Sequence, residues 1–193
     1  MTIREVRWDE GTWTTGPASV RVVDGCLEVG ARAGSDFWRT TSYSFVHDDG
    51  HGLLVDLPDG SAVEVSFVAD LTEQFDQAGV LVRADSEHWV KAGVECADGA
   101  LQLGAVVTRG VSDWSTAAVP WAGRTVTVRA SRAGDALTVR ARVDDEPWAL
   151  VRVAPIDPGR SWRAGPMTCA PTRAGLVVRF TRWTTGPADA ALH

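Results

Sequence analysis

Long apolar runs are missing from this chain, and so is any 3.6-residue apolar repeat of helical length. The first absence excludes a transmembrane helix, and the second leaves an all-β fold as the natural reading. Familiar catalytic signatures are missing too. There is no GxSxG nucleophile elbow, no Walker loop and no GxGxxG dinucleotide turn. Neither HExxH nor a calcium-loop pattern occurs, and Cys26, Cys96 and Cys169 lack metal-ligand spacing, so no metal and no cofactor is expected. An odd number of thiols, two alternating with apolar residues, suits buried reduced cysteines in a cytoplasmic protein. The leading MTIREVRWDEGTW carries acidic residues and no apolar core, which argues against a signal peptide. Basic residues are outnumbered 19 to 25, and the net charge of −6 disfavours nucleic acid and anionic membrane as partners.

What is present is a succession of short alternating strands separated by Asp-Gly, Gly-Pro and Pro-Asp-Gly turns. A chain of 193 residues fits one large all-β domain that buries roughly 70% of its unfolded surface. Residues 1–187 are assigned to one antiparallel two-sheet β-sandwich of jelly-roll type with little or no helix. Residues 188–193 are expected to form a flexible tail. Residues 125–132 and 135–143 alternate apolar positions with a Thr/Arg ladder that includes Arg129, Arg140 and Arg142. A solvated sheet face explains the ladder, with an anion site as the competing reading.

The most informative stretch is 74–115, which reads as three strands joined by two tight turns. Asp98-Gly99 is a type I′ hairpin signal. Pairing outward from it sets Glu95 against Gln102, Gly93 against Gly104, Lys91 against Val106 and Trp89 against Thr108. The three-residue turn 85–87 sets Arg83 against Trp89, Leu81 against Lys91, Gly79 against Gly93 and Gln77 against Glu95. Strand side chains alternate between faces, and the two hairpins agree on parity. One face is then apolar. The other stacks four rows, in which Gly79, Gly93 and Gly104 form the floor of a furrow with Glu95 on one side and Lys91 on the other. A glycine inside a strand marks the close approach of a ligand or of another backbone. The furrow being filled by the chain itself is the competing reading.

Two further clusters carry polar chemistry. His47-Asp48-Asp49-Gly50-His51 packs two imidazoles and two carboxylates into five residues, a metal half-site or a solvated Asp-Gly turn. Ser112-Asp113-Trp114-Ser115 is read as a loop at the sheet rim, where Trp114 either stacks on a sugar face or anchors the loop.

The runs DFWRTTSYSFVHDDGH, FDQAGVLVRADSEHWVKAGVE and VVTRGVSDWS resemble a family of concanavalin A-like proteins of unknown function, named for a "regulation of enolase" protein. The similarity runs from about Trp13 to Trp183. It is most specific at DQAG (76–79), WxKxGxE (89–95) and SDWS (112–115). It implies a jelly-roll sandwich of the lectin and glucanase superfamily and no established activity. The ExDxE-type acid pair of the related glucanases is absent, since retaining hydrolysis needs two acids close together on one face.

Two functional classes follow. The first is a carbohydrate or small-polyol binder using a polar, aromatic-rimmed concave face. Its ligand-binding residues would be Trp38, His47, His51, Gln77, Arg83, Trp89, Gln102, Asp113 and Trp114, with Lys91 and Glu95 hydrogen-bonding. The second is a carbohydrate-active hydrolase or sugar isomerase with Glu95 as acid or base and Lys91 tuning it or steadying an anion. His47 or His51 would be its partner, or a loop acid such as Asp48 or Asp113 would complete a pair. A protein-interaction module, with a homodimer, is a third reading.

Overall fold

The computed structural model describes residues 2–192, and among them there is no helix. The strands are short at the start of the chain: β1 (Arg4–Glu5), β2 (Thr12–Trp13), β3 (Ser19–Val23), β4 (Cys26–Gly30), β5 (Phe37–Arg39) and β6 (Val46–Asp48). The middle holds β7 (His51–Asp56), β8 (Ser61–Val68), β9 (Gln77–Arg83), β10 (His88–Ala97), β11 (Ala100–Arg109) and β12 (Val111–Ala118). The chain then runs through β13 (Thr125–Ala133), β14 (Ala136–Val143), β15 (Ala149–Pro155), β16 (Arg163–Cys169) and β17 (Val177–Pro187).

All of these but β5 and β6, which pair with each other, form two large antiparallel sheets. One has the order β15-β14-β13-β8-β17-β4-β3, with β1 also paired to β17, and the other β12-β11-β10-β9-β16-β7-β2. Alternation explains the core between them. Val63, Val65 and Phe67 of one sheet share a buried cluster with Val80, Val82, Ala92, Val94 and Ala105 of the other. The two Asp-Gly hairpins form as their sequences demand, with positive φ at both central residues: 51° and 77° at Asp24-Gly25, 53° and 78° at Asp98-Gly99.

Every cross-strand pair expected within 77–108 is present, from Gln77–Glu95–Gln102 through Gly79–Gly93–Gly104 to Arg83–Trp89–Thr108. Residues 112–115 differ from expectation. They belong to β12, an edge strand that turns back on β11 at Gly110 (φ 76°), so parity governs them as well.

On the other sheet the Arg ladder is half-buried instead of solvated. Arg129 Nε donates to Asp189 Oδ1 at 2.8 Å, Arg140 pairs with the same carboxylate, and the Asp189 amide donates to Ser131 Oγ at 2.8 Å. The anion on this face is therefore the chain's own, and it ties down the segment that follows β17. His193 lies outside the described residues.

Candidate functional site

The DFWRTTSYSFVHDDGH run folds as a small hairpin, β5 with β6, that lies across the outer face of the β12-β11-β10-β9 side of the sheet. Arg39 fastens one end: its amide donates to Ser112 Oγ at 2.9 Å and its Nε to the Gly110 carbonyl at 3.0 Å. Arg83 fastens the other by a two-pronged pair with Asp48, the second bond 2.8 Å long, and lies 5.8 Å from the Phe37 ring centre. Phe37 and Trp38 of the hairpin close with Leu54, Leu81, Trp89, Val106 and Met167 beneath it into a second apolar cluster. Two expected ligand contacts are corrected here. Trp89 is 0% exposed and packs on Phe37, so it cannot stack on a ligand, and Arg83 is spent on Asp48.

The hairpin covers only half of that face. Where it begins, it hangs Asp36 over the neighbouring rows, fixed by its amide on Asp49 Oδ1 (3.0 Å) and by its carbonyl accepting from the Gly50 amide (2.9 Å). Lys91 Nζ donates to Asp36 Oδ1 and to Gln77 Oε1, both at 2.8 Å, and Gln77 Nε2 donates to Asp36 Oδ1 at 3.3 Å. All bonds received by the Asp36 carboxylate fall on Oδ1, the Phe37 amide included (2.7 Å); among the described residues no donor is bonded to Oδ2. Burial alone would lower Lys91, but Asp36 reverses this and holds the ammonium above its ordinary range. Glu95 lies on the same strand four residues further on. Burial pushes it up to about 7, with Lys91 opposing and Asp36 adding to the rise, and its Oε1 is buried without a partner.

These groups floor a cavity of about 360 Å³, within the range of roughly 300–1,000 Å³ usual for ligand sites. Aromatic rings wall it in sequence. Trp114 meets Trp38 edge-on at 6.3 Å, Trp38 meets Tyr43 at 5.6 Å, and Tyr43 stacks on Phe45 at 5.4 Å. His47 continues the row, 5.0 Å from Phe45. The loop that presents Tyr43 and Phe45 holds Thr40, Ser42 and Ser44 at φ of 56°, 64° and 57°, left-handed values that cost non-glycine residues on the order of 1 kcal/mol or more. Tyr43 and Phe45 remain 51% and 42% exposed, so the loop's strain is offset without burying its aromatic rings.

The glycine row leaves a dent, for a second reason besides missing bulk. A Cβ on Gly79 would stand 2.1 Å from the Ala92 carbonyl oxygen, on Gly93 2.2 Å from that of Ala78, and on Gly104 2.3 Å from that of Ser115. The strands approach too closely there for any other residue. The remaining space, about 30 Å³, is lined by Gly93, Gly104, Glu95, Gln102 and Thr116 and has room for about one water. Gly79 does not line it.

The sequence reading thus brings together Gln77, Lys91, Glu95, Trp38, His47 and Trp114 around one cavity, with Gln102 in the adjoining dent. It does not bring in His51 or Asp113. His51 is buried, its Nε2 accepts from the Arg32 amide (3.0 Å), and its Nδ1 therefore donates to the Thr15 carbonyl (3.1 Å), with burial lowering its pKa. Asp113 pairs in register with Val107, on the opposite face from Trp114, and binds Arg152 at 2.9 Å. The HDDGH side chains disperse accordingly: Asp48 to Arg83, His51 to the backbone, His47 to the cavity and 3.4 Å from Asp49. Asp36, Tyr43, Phe45 and Thr116 were missed. The density of aromatic and polar residues in 36–51 was the available signal.

A family model described as a protein of unknown function, DUF1349, matches residues 13–188. Regulation of enolase protein 1 of Saccharomyces cerevisiae is 38% identical over 185 residues, which cover 95% of this chain and 93% of that protein. A crystal structure of a functionally unknown protein from Saccharomyces cerevisiae superposes with a TM-score of 0.90 at 36% identity, covering 96% of this chain and all of that one. The fold is also shared with xylan β-1,4-xylosidase of Bacillus halodurans C-125 (TM-score 0.68, 15% identity, 96% of this chain but 39% of that chain). Lectin I-B4 of Griffonia simplicifolia, in its metal-free form, shares it at a TM-score of 0.53 and 16% identity, covering 92% of this chain and 93% of the lectin.

Proposed function

This chain belongs to the DUF1349 family of proteins of unknown function, and from the chemistry of its cavity we propose that it binds a carbohydrate or small polyol. One observation carries the reading: a row of aromatic rings stands beside a floor of Gln77, Lys91 and Glu95 in a single cavity. A sugar ring has an apolar face that stacks on such rings and a girdle of hydroxyls that needs donors and acceptors at its edge. The ligand is uncharged. The ammonium of Lys91 is already matched by Asp36, and Glu95 adds no positive charge in either protonation state, so the floor offers an incoming phosphate or carboxylate no unpaired cation. The lectin and xylosidase that share the fold support the reading without fixing it. Free thiols at Cys26, Cys96 and Cys169 fit a cytoplasmic setting.

Isothermal titration with xylose, glucose, galactose, xylobiose and glycerol, set against glucuronate and glucose 6-phosphate, tests it. The expected result is saturable binding of at least one neutral probe, weakened tenfold or more by Trp114→Ala. Saturation by the anionic probes alone, or by none of them, would sink the proposal.

A further inference from the structure

The cavity holds two carboxyl groups in unlike surroundings. The Asp36 carboxylate takes its bonds on Oδ1, from Lys91, Gln77 and the Phe37 amide, and among the described residues Oδ2 has no partner. Glu95 lines the same cavity; among the described residues its buried Oε1 has no partner and Lys91 is the cation that acts on it. Its other neighbours in charge or hydrogen-bonding capacity are Gln77 on β9, Gln102 on β11, Thr116 on β12 and the buried Cys169 thiol on β16. Glu95 also lines the water-sized dent, which shares Gln77, Lys91, Val106 and Trp114 with the cavity and is too small for a sugar ring. A ring in contact with both carboxyls therefore lies on the cavity side of Glu95.

We propose that Asp36 and Glu95 form an acid–base couple that opens and recloses the ring of a free aldose, interconverting its anomers. This rests on the carbohydrate reading of the cavity. In the opening step Asp36 Oδ2 takes the proton of the anomeric hydroxyl and Glu95 gives its proton to the ring oxygen. The bond between the anomeric carbon and the ring oxygen breaks, its electron pair staying on that oxygen, and a carbonyl forms at the anomeric carbon. After half a turn about the adjacent carbon–carbon bond the ring hydroxyl attacks the other carbonyl face. It returns its proton to Glu95 as Asp36 protonates the new anomeric oxygen. Both side chains end as they began, and no water or second substrate is consumed. Pairs of carboxyls held in different protonation states are the arrangement this chemistry needs. Lys91 is a positioning residue: its bond to Asp36 Oδ1 fixes that carboxylate and leaves Oδ2 for the ligand.

Polarimetry of freshly dissolved α-glucose, α-galactose and α-xylose, with and without the protein, reads the reaction directly. At least one sugar should equilibrate tenfold or more faster than in buffer. The acceleration should fall as pH rises through about 7, where Glu95 loses its proton. Glu95→Gln should abolish it, returning the rate to that of buffer, along with that pH dependence. Asp36→Asn should do the same, and Asp113→Ala, on the opposite face, should leave it unchanged. Circular dichroism checks that each variant is folded. If titration shows a neutral sugar bound but its anomers equilibrate at the buffer rate, the couple is refuted and the binding site stands. If no sugar binds, both readings fall. Release of 4-nitrophenol from nitrophenyl glycosides, dependent on Glu95 and without anomer exchange, overturns the ring-opening assignment in favour of hydrolysis.

Discussion

The outer face of β9, β10 and β11 is one surface with two fates. At the Arg83–Trp89–Thr108 row the hairpin is bolted down, rings and aliphatic groups close against each other, and Trp89 vanishes from solvent. Two rows away, past Lys91, the same strands carry amides, a carboxyl and glycines, and the surface stays open as a cavity. The same hairpin roofs one half and walls the other, so the difference lies in what the rows offer it. An apolar row can be sealed by burial. A row of buried hydrogen-bonding groups needs partners the hairpin supplies only in part, through Asp36. Function is expected where sealing fails.

The sharpest way to break this contrast is to empty each half in turn. Trp89→Ala in the sealed half should cost about 3–5 kcal/mol in urea unfolding, as large core truncations do. Trp114→Ala, 39% exposed at the cavity wall, should cost less than about 1 kcal/mol and act on sugar binding instead. If Trp114 proves the costlier deletion, the division into a structural half and a working half is wrong.

Lys91 sits on the boundary, 5% exposed, with its ammonium shared between Asp36 and Gln77. Lys91→Met strands the Asp36 charge, and a loss of about 3 kcal/mol follows from breaking a half-buried pair on one side only. Pairing it with Asp36→Asn should recover most of that loss, a coupling that a double-mutant cycle measures. Additive losses would mean that the hairpin and the floor are independent.

This boundary also divides what could be read from the sequence. Register on 77–108 was legible because two turns fix it locally and parity does the rest. The hairpin was not, because its strands are three residues long and its partners lie far along the chain. Asp36 is 55 residues from Lys91 and Arg39 73 from Ser112, and no periodicity reports contacts of that range. Trp89 was misplaced for the same reason: alternation gives the correct face but cannot say that something covers it. Asp113 was misplaced by taking 112–115 for a loop, when continuing the alternation of β11 around Gly110 would have put Trp114 and Asp113 on opposite faces.

Glu95 tests the open half by pH. Its proton is held more tightly in the folded chain, up to about 7 against an ordinary 4.5, so the fold has this advantage in full below pH 4.5 and loses it as pH rises through 7. Glu95→Gln removes the titration. Relative to wild type it should be near neutral at pH 4.5 and more stable by up to roughly 3 kcal/mol at pH 8. A difference that does not change with pH would mean that the carboxyl titrates at its ordinary value and is ionised at neutral pH, and the acid–base couple would go with it.

The smallest effect belongs to the residue that the register removes from the site. Asp113 and Trp114 are neighbours in sequence, yet β12 turns one toward β15 and the other toward the cavity. The Asp113–Arg152 pair is a surface pair, with 68% of the Asp113 side chain exposed, and such pairs contribute less than about 1 kcal/mol and weaken with salt. Asp113→Ala should therefore shift the unfolding midpoint barely at all and leave sugar binding at its wild-type value, while Trp114→Ala, one position on, changes binding tenfold or more. A pair of adjacent substitutions with effects so unequal is the signature of a strand. Equal effects on binding would return 112–115 to the flexible rim loop, with both side chains reaching the ligand.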